Sequence, residues 1–323
     1  MVLFLWLKLL YCTLTEIQRI LRILKIIPLI LAAIDIGSNA ARLLITEVVE
    51  SGAEKPQFNK LNLLRVPLRL GFDVFESNYI SSDKLRMFMD TMKAFKHLMS
   101  AYAVTSYRAC ATSAMRDASN TEAIIEAVFK ETGIRIEVIT GDTEANLVYE
   151  NHVAENMNEL NSYMYIDVGG GSTELSFFTN GKLVFKQSFN IGTIRLLKNM
   201  VTETHWDEMK NTIRAFTRGQ KAVIAIGSGG NINKVFSLSK KKDGKPLSLE
   251  LLRDYYKELE AFGLEERMLK YNLRRDRADV ILPAISIYIN AMRWAGAEEI
   301  YVPKIGLADG LIRHLWEEVK LLK

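Results

Sequence analysis

Two copies of one short pattern constrain this chain more than any other feature. Ile34-Asp35-Ile36-Gly37-Ser38-Asn39-Ala40-Ala41-Arg42-Leu43 and Ile166-Asp167-Val168-Gly169-Gly170-Gly171-Ser172-Thr173-Glu174-Leu175 align without a gap, and Asp167 follows Asp35 by 132 residues. Each copy is preceded by an apolar run (Leu31 to Ile34; Tyr163 to Ile166) and followed by another (Leu43 to Ile45; Leu175 to Phe178). That layout reads as strand, tight glycine turn, strand, twice over. Glycine at such a turn lets the backbone take positive φ and lie close against a ligand. Successive N–H groups there form an anion-binding concavity, and an aspartate just before it can hold a cation beside the anion. Two such loops facing one another make a phosphate clamp between two related halves.

The size agrees with two halves. At roughly 150 residues per domain, 323 residues give two domains. A hydrophobic content of 49% and a charged content of 25% are those of an ordinary globular protein. Cys12 and Cys110 provide no disulfide framework, which points to a reducing cytoplasm. The formal net charge of +4 is too small to indicate a nucleic-acid partner. Met1 to Leu14 is strongly apolar but interrupted by Lys8, and Glu16, Arg19, Arg22 and Lys25 give the next stretch a charged face. This is short of the about 20 apolar residues that span a bilayer, and it lacks a signal-peptide layout. No stable membrane insertion is expected. Residues 1–31 read as an amphipathic helix, a packed accessory helix or non-native upstream sequence, and carry no functional expectation.

The remainder alternates α and β. Phe58 to Leu70, Tyr107 to Thr112 and Ile134 to Thr140 read as strands, and Asp83 to Met99 has helical apolar spacing. Thr121 to Thr132 reads as a helix closed by Gly133, and Asp142 can cap a helix through Glu144 and Leu147. The second half repeats the plan with strands at Tyr163 to Val168, Leu175 to Thr179, Val184 to Phe189 and Ala222 to Ile226. Helices follow near Thr193 to Met200, Ser248 to Leu259 and Ala278 to Trp294, then a strand Glu299 to Val302 and a last helix 307–321. A third glycine loop, Gly227-Ser228-Gly229-Gly230-Asn231, follows a buried strand. Three such loops resemble the two-lobed ATPase-like architecture of actin, Hsp70 and sugar kinases. The expected fold is therefore α/β, with two related actin-like (ribonuclease H-like) lobes and a phosphate-binding cleft between them. The lobes are expected at 32–153 and 154–323, with the terminal helix packing back on the first.

The ordered motifs resemble one family in particular, the exopolyphosphatase/guanosine pentaphosphate phosphohydrolase (Ppx/GppA) family. Asp35 to Leu43 is similar to its first phosphate loop, and Arg65-Val66-Pro67-Leu68-Arg69-Leu70-Gly71 to its basic strand ending in glycine. Ala111-Thr112-Ser113-Ala114-Met115-Arg116-Asp117-Ala118 resembles its Ala-Thr-x-x-x-Arg-x-Ala segment. Thr140-Gly141-Asp142-Thr143-Glu144-Ala145-Asn146-Leu147 resembles its catalytic Ser-Gly-x-Glu-Glu-Ala-Arg-Leu segment. Asp167 to Leu175, Ile191 to Leu196, Arg277 to Ile281 and Gly306 to Gly310 follow in family order. Two departures fall beside the key glutamate, Thr143 for the first glutamate of the pair and Asn146 for arginine.

The resemblance implies Mg²⁺, with a monovalent cation such as K⁺ as a further requirement. Asp35, Asp167 and Glu174 are the implied metal ligands, Glu144 the base that places water, and Glu174 a second catalytic carboxylate. Expected phosphate contacts are Gly37, Ser38 and Asn39; Gly169, Gly170, Gly171 and Ser172; and Gly227, Gly229 and Gly230. Arg42, Arg116 and Arg195 join them because a guanidinium suits bidentate phosphate binding. The implied substrate is inorganic polyphosphate or a phosphorylated guanosine nucleotide, handled by a cytoplasmic homodimer. A small-molecule kinase on the same scaffold and a non-catalytic guanosine tetra/pentaphosphate sensor remain alternatives.

Overall fold

The computed structural model describes residues 29–50, 55–153, 161–220, 222–303 and 305–321. Residues 1–28 of the N-terminal segment, and the expected lobe junction at 153/154 on its C-terminal side, lie outside the described residues.

The first sheet contains β1 (Leu29–Ile36), β2 (Ala41–Val49), β3 (Gln57–Val66), β4 (Ser106–Ala111) and β5 (Ile136–Val138), in the order β3-β2-β1-β4-β5. The first three strands form an antiparallel meander, and β4 and β5 continue parallel to β1. The second sheet contains β6 (Ser162–Val168), β7 (Thr173–Thr179), β8 (Lys182–Phe189), β9 (Val223–Ser228), the edge pair β10 (Leu247–Ser248) and β11 (Glu299–Tyr301). Its order, β8-β7-β6-β9-β11-β10, repeats the first arrangement strand for strand before β10 is added. The duplication read from two ten-residue segments is therefore a duplication of whole sheets.

Central strand β1 is apolar from Leu29 to Ile34 because both its faces are covered, and successive side chains alternate between them; Asp35 breaks the run at the end that meets the loop. Ala32, Ile34 and Ile36 face the core formed with α1 (Leu70–Ser77), α2 (Ser82–Ala101) and α4 (Thr121–Thr132). Leu31 and Ala33 meet Leu311, Leu315 and Trp316 of α13 (Leu307–Leu321), so the last helix covers the other face of the first sheet. In α2 the buried residues Phe88, Met92, Phe95 and Met99 recur at helical spacing, and the Ser81 side chain caps its start by accepting from the Lys84 N–H. In the second half, α12 (Ile281–Ala295) buries Ala284, Ile285, Tyr288, Ala291 and Met292 against the sheet and its helices.

Some boundaries differ from the sequence reading. The strand expected to reach Leu70 stops at Val66, because Pro67 has no N–H to donate to a ladder. Arg69 then takes a left-handed conformation (φ 57°) and α1 begins. The helix expected from Ala278 to Trp294 begins three residues later as α12, after a separate short helix α11 (Arg275–Ala278), and Pro283 sits in the first turn of α12, where its missing N–H costs nothing. The structure adds α7 (Glu203–Thr217) and α10 (Leu264–Lys270), which the apolar spacing above does not mark. Among the described residues no helix is long and apolar enough to cross a membrane.

Candidate active site

The two glycine loops lie at equivalent places, each after a central strand. Gly37 N–H donates to Ala40 O at 3.0 Å, and Gly169 N–H donates to Ser172 O at 2.9 Å. They touch across the gap between the sheets: a Cβ on Gly170 would lie 2.9 Å from Ser38 Cβ and 3.4 Å from Asn39 N. The expected positive φ is absent from both loops and occurs in the third, at Gly229 (φ 108°). Gly170 and Gly171 of the second loop serve close approach instead, whereas a Cβ on Gly37 would meet nothing nearer than Ala40 O at 3.4 Å. A Cβ on Gly229 would sit 3.0 Å from Asp167 Oδ1, so the third loop leans on the second aspartate.

These loops enclose a cavity of about 270 Å³. Asp35, Gly37, Ser38, Asn39, Arg42, Glu144, Asp167, Gly169, Gly170, Ser172, Glu174, Gly229 and Gly230 all line it. Glu144 arrives on the first turn of α5 (Gly141–Val153), with its N–H bonded to Thr140 O at 2.9 Å. In the duplicated hairpins the residue paired with Asp35 is Arg42, and the residue paired with Asp167 is Glu174. One half therefore contributes an ion pair, Arg42 to Asp35 at 2.5 Å, where the other places two carboxylates side by side.

Crowded carboxylates with little water must hold their protons more tightly. Enclosure in protein pushes Asp167 up to about 6, with Asp35 adding to the rise and Arg42 opposing it. Withdrawal from water and the Asp167 charge push Glu174 up to about 7, although Ser172 and Ser188 donate to it at 2.6 and 2.8 Å. Glu144 is raised well above the ordinary carboxylate range, by withdrawal from water first and the Glu174 charge second. Burial works against the Arg42 charge, but Asp35 and, behind it, the Asp167 and Glu144 charges together outweigh it, and the guanidinium is held above its usual value.

Among the described residues no three His, Cys, Asp or Glu side chains converge closely enough to cage a metal. Of Asp35, Asp167 and Glu174, expected to reach a metal directly or through water, Asp35 is engaged by Arg42. Mg²⁺ does not need such a cage. It is typically held by one or two carboxylates, with water and substrate phosphate completing an octahedron of oxygens. The all-oxygen donor set and the mutually repelling pair Asp167 and Glu174 suit a cation of that kind.

Four expected phosphate contacts do not line the cavity. Arg116 donates to Ile139 O at 2.7 Å and to Glu144 at 3.4 Å, behind the cleft wall. Arg195, on α6 (Thr193–Leu197), donates to Gly171 O at 2.8 Å, pairs with Asp117 of α3 (Ser113–Asp117), and lies 4.2 Å from the Phe75 ring centre. It joins the lobes beneath the loop and is spent on protein partners. Gly171 faces Ser113 and Phe75, and Gly227 lies within β9, where a Cβ would come 2.7 Å from Ile300 Cδ1. Both make room for neighbours.

The cavity also gathers cations that the phosphate list above omits. Lys60 and Arg65 of edge strand β3 and Arg277 of α11 line it, with Asn231 and Ser113. Arg277 is driven down to about 9, by burial first and then by the nearby charges of Arg65 and Arg42. Arg65 is paired with Asp276, Lys60 with Asp309 and Arg42 with Asp35, and Arg277 donates to Asn231 Oδ1 at 3.1 Å. A bound anion would relieve the remaining repulsion among the guanidiniums of this wall. The sequence carried a trace of it in Lys60 and Arg65 on a strand and Arg277 in an ordered motif. Their convergence depends on α11 meeting the edge of the other sheet.

A duplicated sheet with facing hairpin loops and a charged cleft between them defines the class of two-lobed, actin-like phosphate-binding folds. The profile of the Ppx/GppA phosphatase family matches residues 47–318, and the chain belongs to that family. A guanosine-5′-triphosphate,3′-diphosphate pyrophosphatase of Pseudoalteromonas translucida is 26% identical over 300 residues, 87% of this chain and 57% of the relative. A bifunctional 3-dehydroquinate synthase/phosphatase of Fusobacterium nucleatum is 32% identical over 169 residues, 51% of this chain and 25% of the relative. The chain thus spans 57% and 25% of the lengths of these two relatives. Among solved structures, an exopolyphosphatase from Cytophaga hutchinsonii superposes with a TM-score of 0.76 at 25% identity, over 90% of this chain and 98% of that one. The Ppx/GppA family member of Aquifex aeolicus has the same fold, with a TM-score of 0.72 at 24% identity over 90% and 99% of the two chains.

Proposed function

We propose that this chain hydrolyses phosphoanhydride bonds, releasing a terminal phosphate from inorganic polyphosphate or the 5′-terminal phosphate of guanosine pentaphosphate. The observation that carries this reading is the placement of Glu144 and Glu174 together on one wall of a cleft whose other walls are two phosphate-type loops and a guanidinium cluster. The names of the pyrophosphatase and exopolyphosphatase relatives supply the substrate class.

Phosphoryl transfer to water is governed by positioning and by neutralising charge on the transferred group. The N–H groups and hydroxyls of the Gly37 to Asn39 and Gly169 to Ser172 turns hold the terminal phosphate. Arg42, Arg65 and Arg277 hold the following part of the polyanion. Glu144, kept basic by its surroundings and tethered by Arg116, orients the attacking water and accepts its proton. Mg²⁺ held by Asp167 and Glu174 would supply charge neutralisation at the phosphate oxygens. A proton on Asp167 or Glu174 would compete with such a cation.

Glu144→Gln tests the assignment. It keeps the size of the side chain and removes its basicity, so kcat should fall at least about 10²-fold while substrate binding is nearly unchanged. Near-normal turnover by that variant would remove Glu144 from the role.

A further inference from the structure

Ser188 does not line the cleft, yet it touches the machinery of both catalytic carboxylates. In the β7–β8 ladder Ser188 is the direct register partner of Glu174, so their side chains share a face. Its hydroxyl donates to Glu174 Oε1 at 2.8 Å, beside Ser172 at 2.6 Å. Two donors on one oxygen fix the carboxylate and leave Oε2 for the cleft. The same face of β8 receives α5. A Cβ on Gly141 would lie 2.5 Å from Ser188 Cβ and 2.7 Å from its Oγ, so the helix sits directly on this serine. Lys186, two residues earlier on that face, bonds Asn146 Oδ1 in the next turn of α5. Glu144 lies three residues beyond Gly141, on the same side of the helix.

We propose that Ser188 is a positioning residue for Glu174 and Glu144 together. Its hydroxyl sets the orientation of one carboxylate, and its β-carbon is the seat that fixes how closely the other approaches. Gly141 is the matching half of that seat, a glycine required for space. This inference rests on the hydrolase reading given above and deepens it.

Two measurements on the full chain test it. In phosphate-release kinetics with polyphosphate and magnesium, Ser188→Ala should lower kcat about tenfold, the effect of losing one hydrogen bond to a charged group, with KM unchanged. Gly141→Ala should do at least as much, and adding it to Ser188→Gly should cost nothing further, because the added methyl then has room. A Ser188→Ala variant with wild-type kcat, or a matched rise in KM, overturns the proposal. Urea unfolding of Gly141→Ala, Ser188→Gly and the double variant reads the seat without any turnover. Coupled effects support it and additive effects overturn it. Should the wild type release no phosphate at all, the hydrolase reading falls by itself and the unfolding cycle still decides about the seat.

Discussion

Gly170→Ala drives a wedge into the clamp at the place where the two loops meet. The new methyl carbon would stand 2.9 Å from Ser38 Cβ and 3.1 Å from Ile194 Cδ1. Carbon atoms pack at about 3.5–4.0 Å, so the contact must open by roughly 0.6–1 Å. The Ile194 side chain can swing aside through its own torsions. Ser38 cannot, because its Cβ is adjacent to the backbone and its hydroxyl is bonded to Ser113 Oγ at 2.7 Å. The displacement therefore falls on the loops. Overpacking of this size costs about 1–3 kcal/mol of stability, while a shift near 1 Å in reacting groups can cost about 10²-fold in rate. The variant should fold with a modestly lower Tm and lose kcat by about 10–10²-fold. Initial rates of orthophosphate release, measured beside thermal unfolding, read both quantities. Wild-type kcat and Tm together would mean that the loops do not close on one another.

Two further outcomes follow from the charges around the cleft. Asp276→Ala leaves Arg65 largely buried beside Arg277 with its counter-ion gone, and urea unfolding should show a loss of about 3–5 kcal/mol. Asp167 has a folded pKa of about 6 against an ordinary 3.8, so its contribution to stability is fully present below pH 3.8 and lost as pH rises through 6. In magnesium-free buffer the wild type should lose roughly 3 kcal/mol relative to Asp167→Asn between pH 3.8 and 6. Urea midpoints across that range check this, and parallel pH profiles for the two proteins would contradict it.

The parts legible in the sequence are those written locally. The paired Asp-x-Gly hairpins announce themselves because strand, turn and strand lie within ten residues, and the same segments supply Asp35, Asp167 and Glu174 to the cleft. Glu144 is legible only because Thr140 to Leu147 resembles the family's catalytic segment, since a glutamate at a helix start is by itself an ordinary feature. What could not be read is where long side chains end. Arg195 belongs to a motif beside the second loop and looks like a phosphate ligand, but Gly171 O, Asp117 and the Phe75 ring take all of its reach. Arg65 and Arg277 stand 212 positions apart, and only the packing of α11 against β3 reveals them as one cationic wall. Gly227 shows the same ambiguity, since a glycine needed for Ile300 has the sequence appearance of one needed for a ligand.

The central claim is that water, placed by Glu144, attacks the terminal phosphorus of a condensed phosphate held between the two lobes. Phosphate release in ¹⁸O-labelled water, with magnesium and polyphosphate, tests it most directly. One labelled oxygen in each liberated orthophosphate, with Glu144→Gln slowing its appearance, is the expected result. Label confined to the shortened chain, or no orthophosphate from polyphosphate or guanosine pentaphosphate, would contradict it.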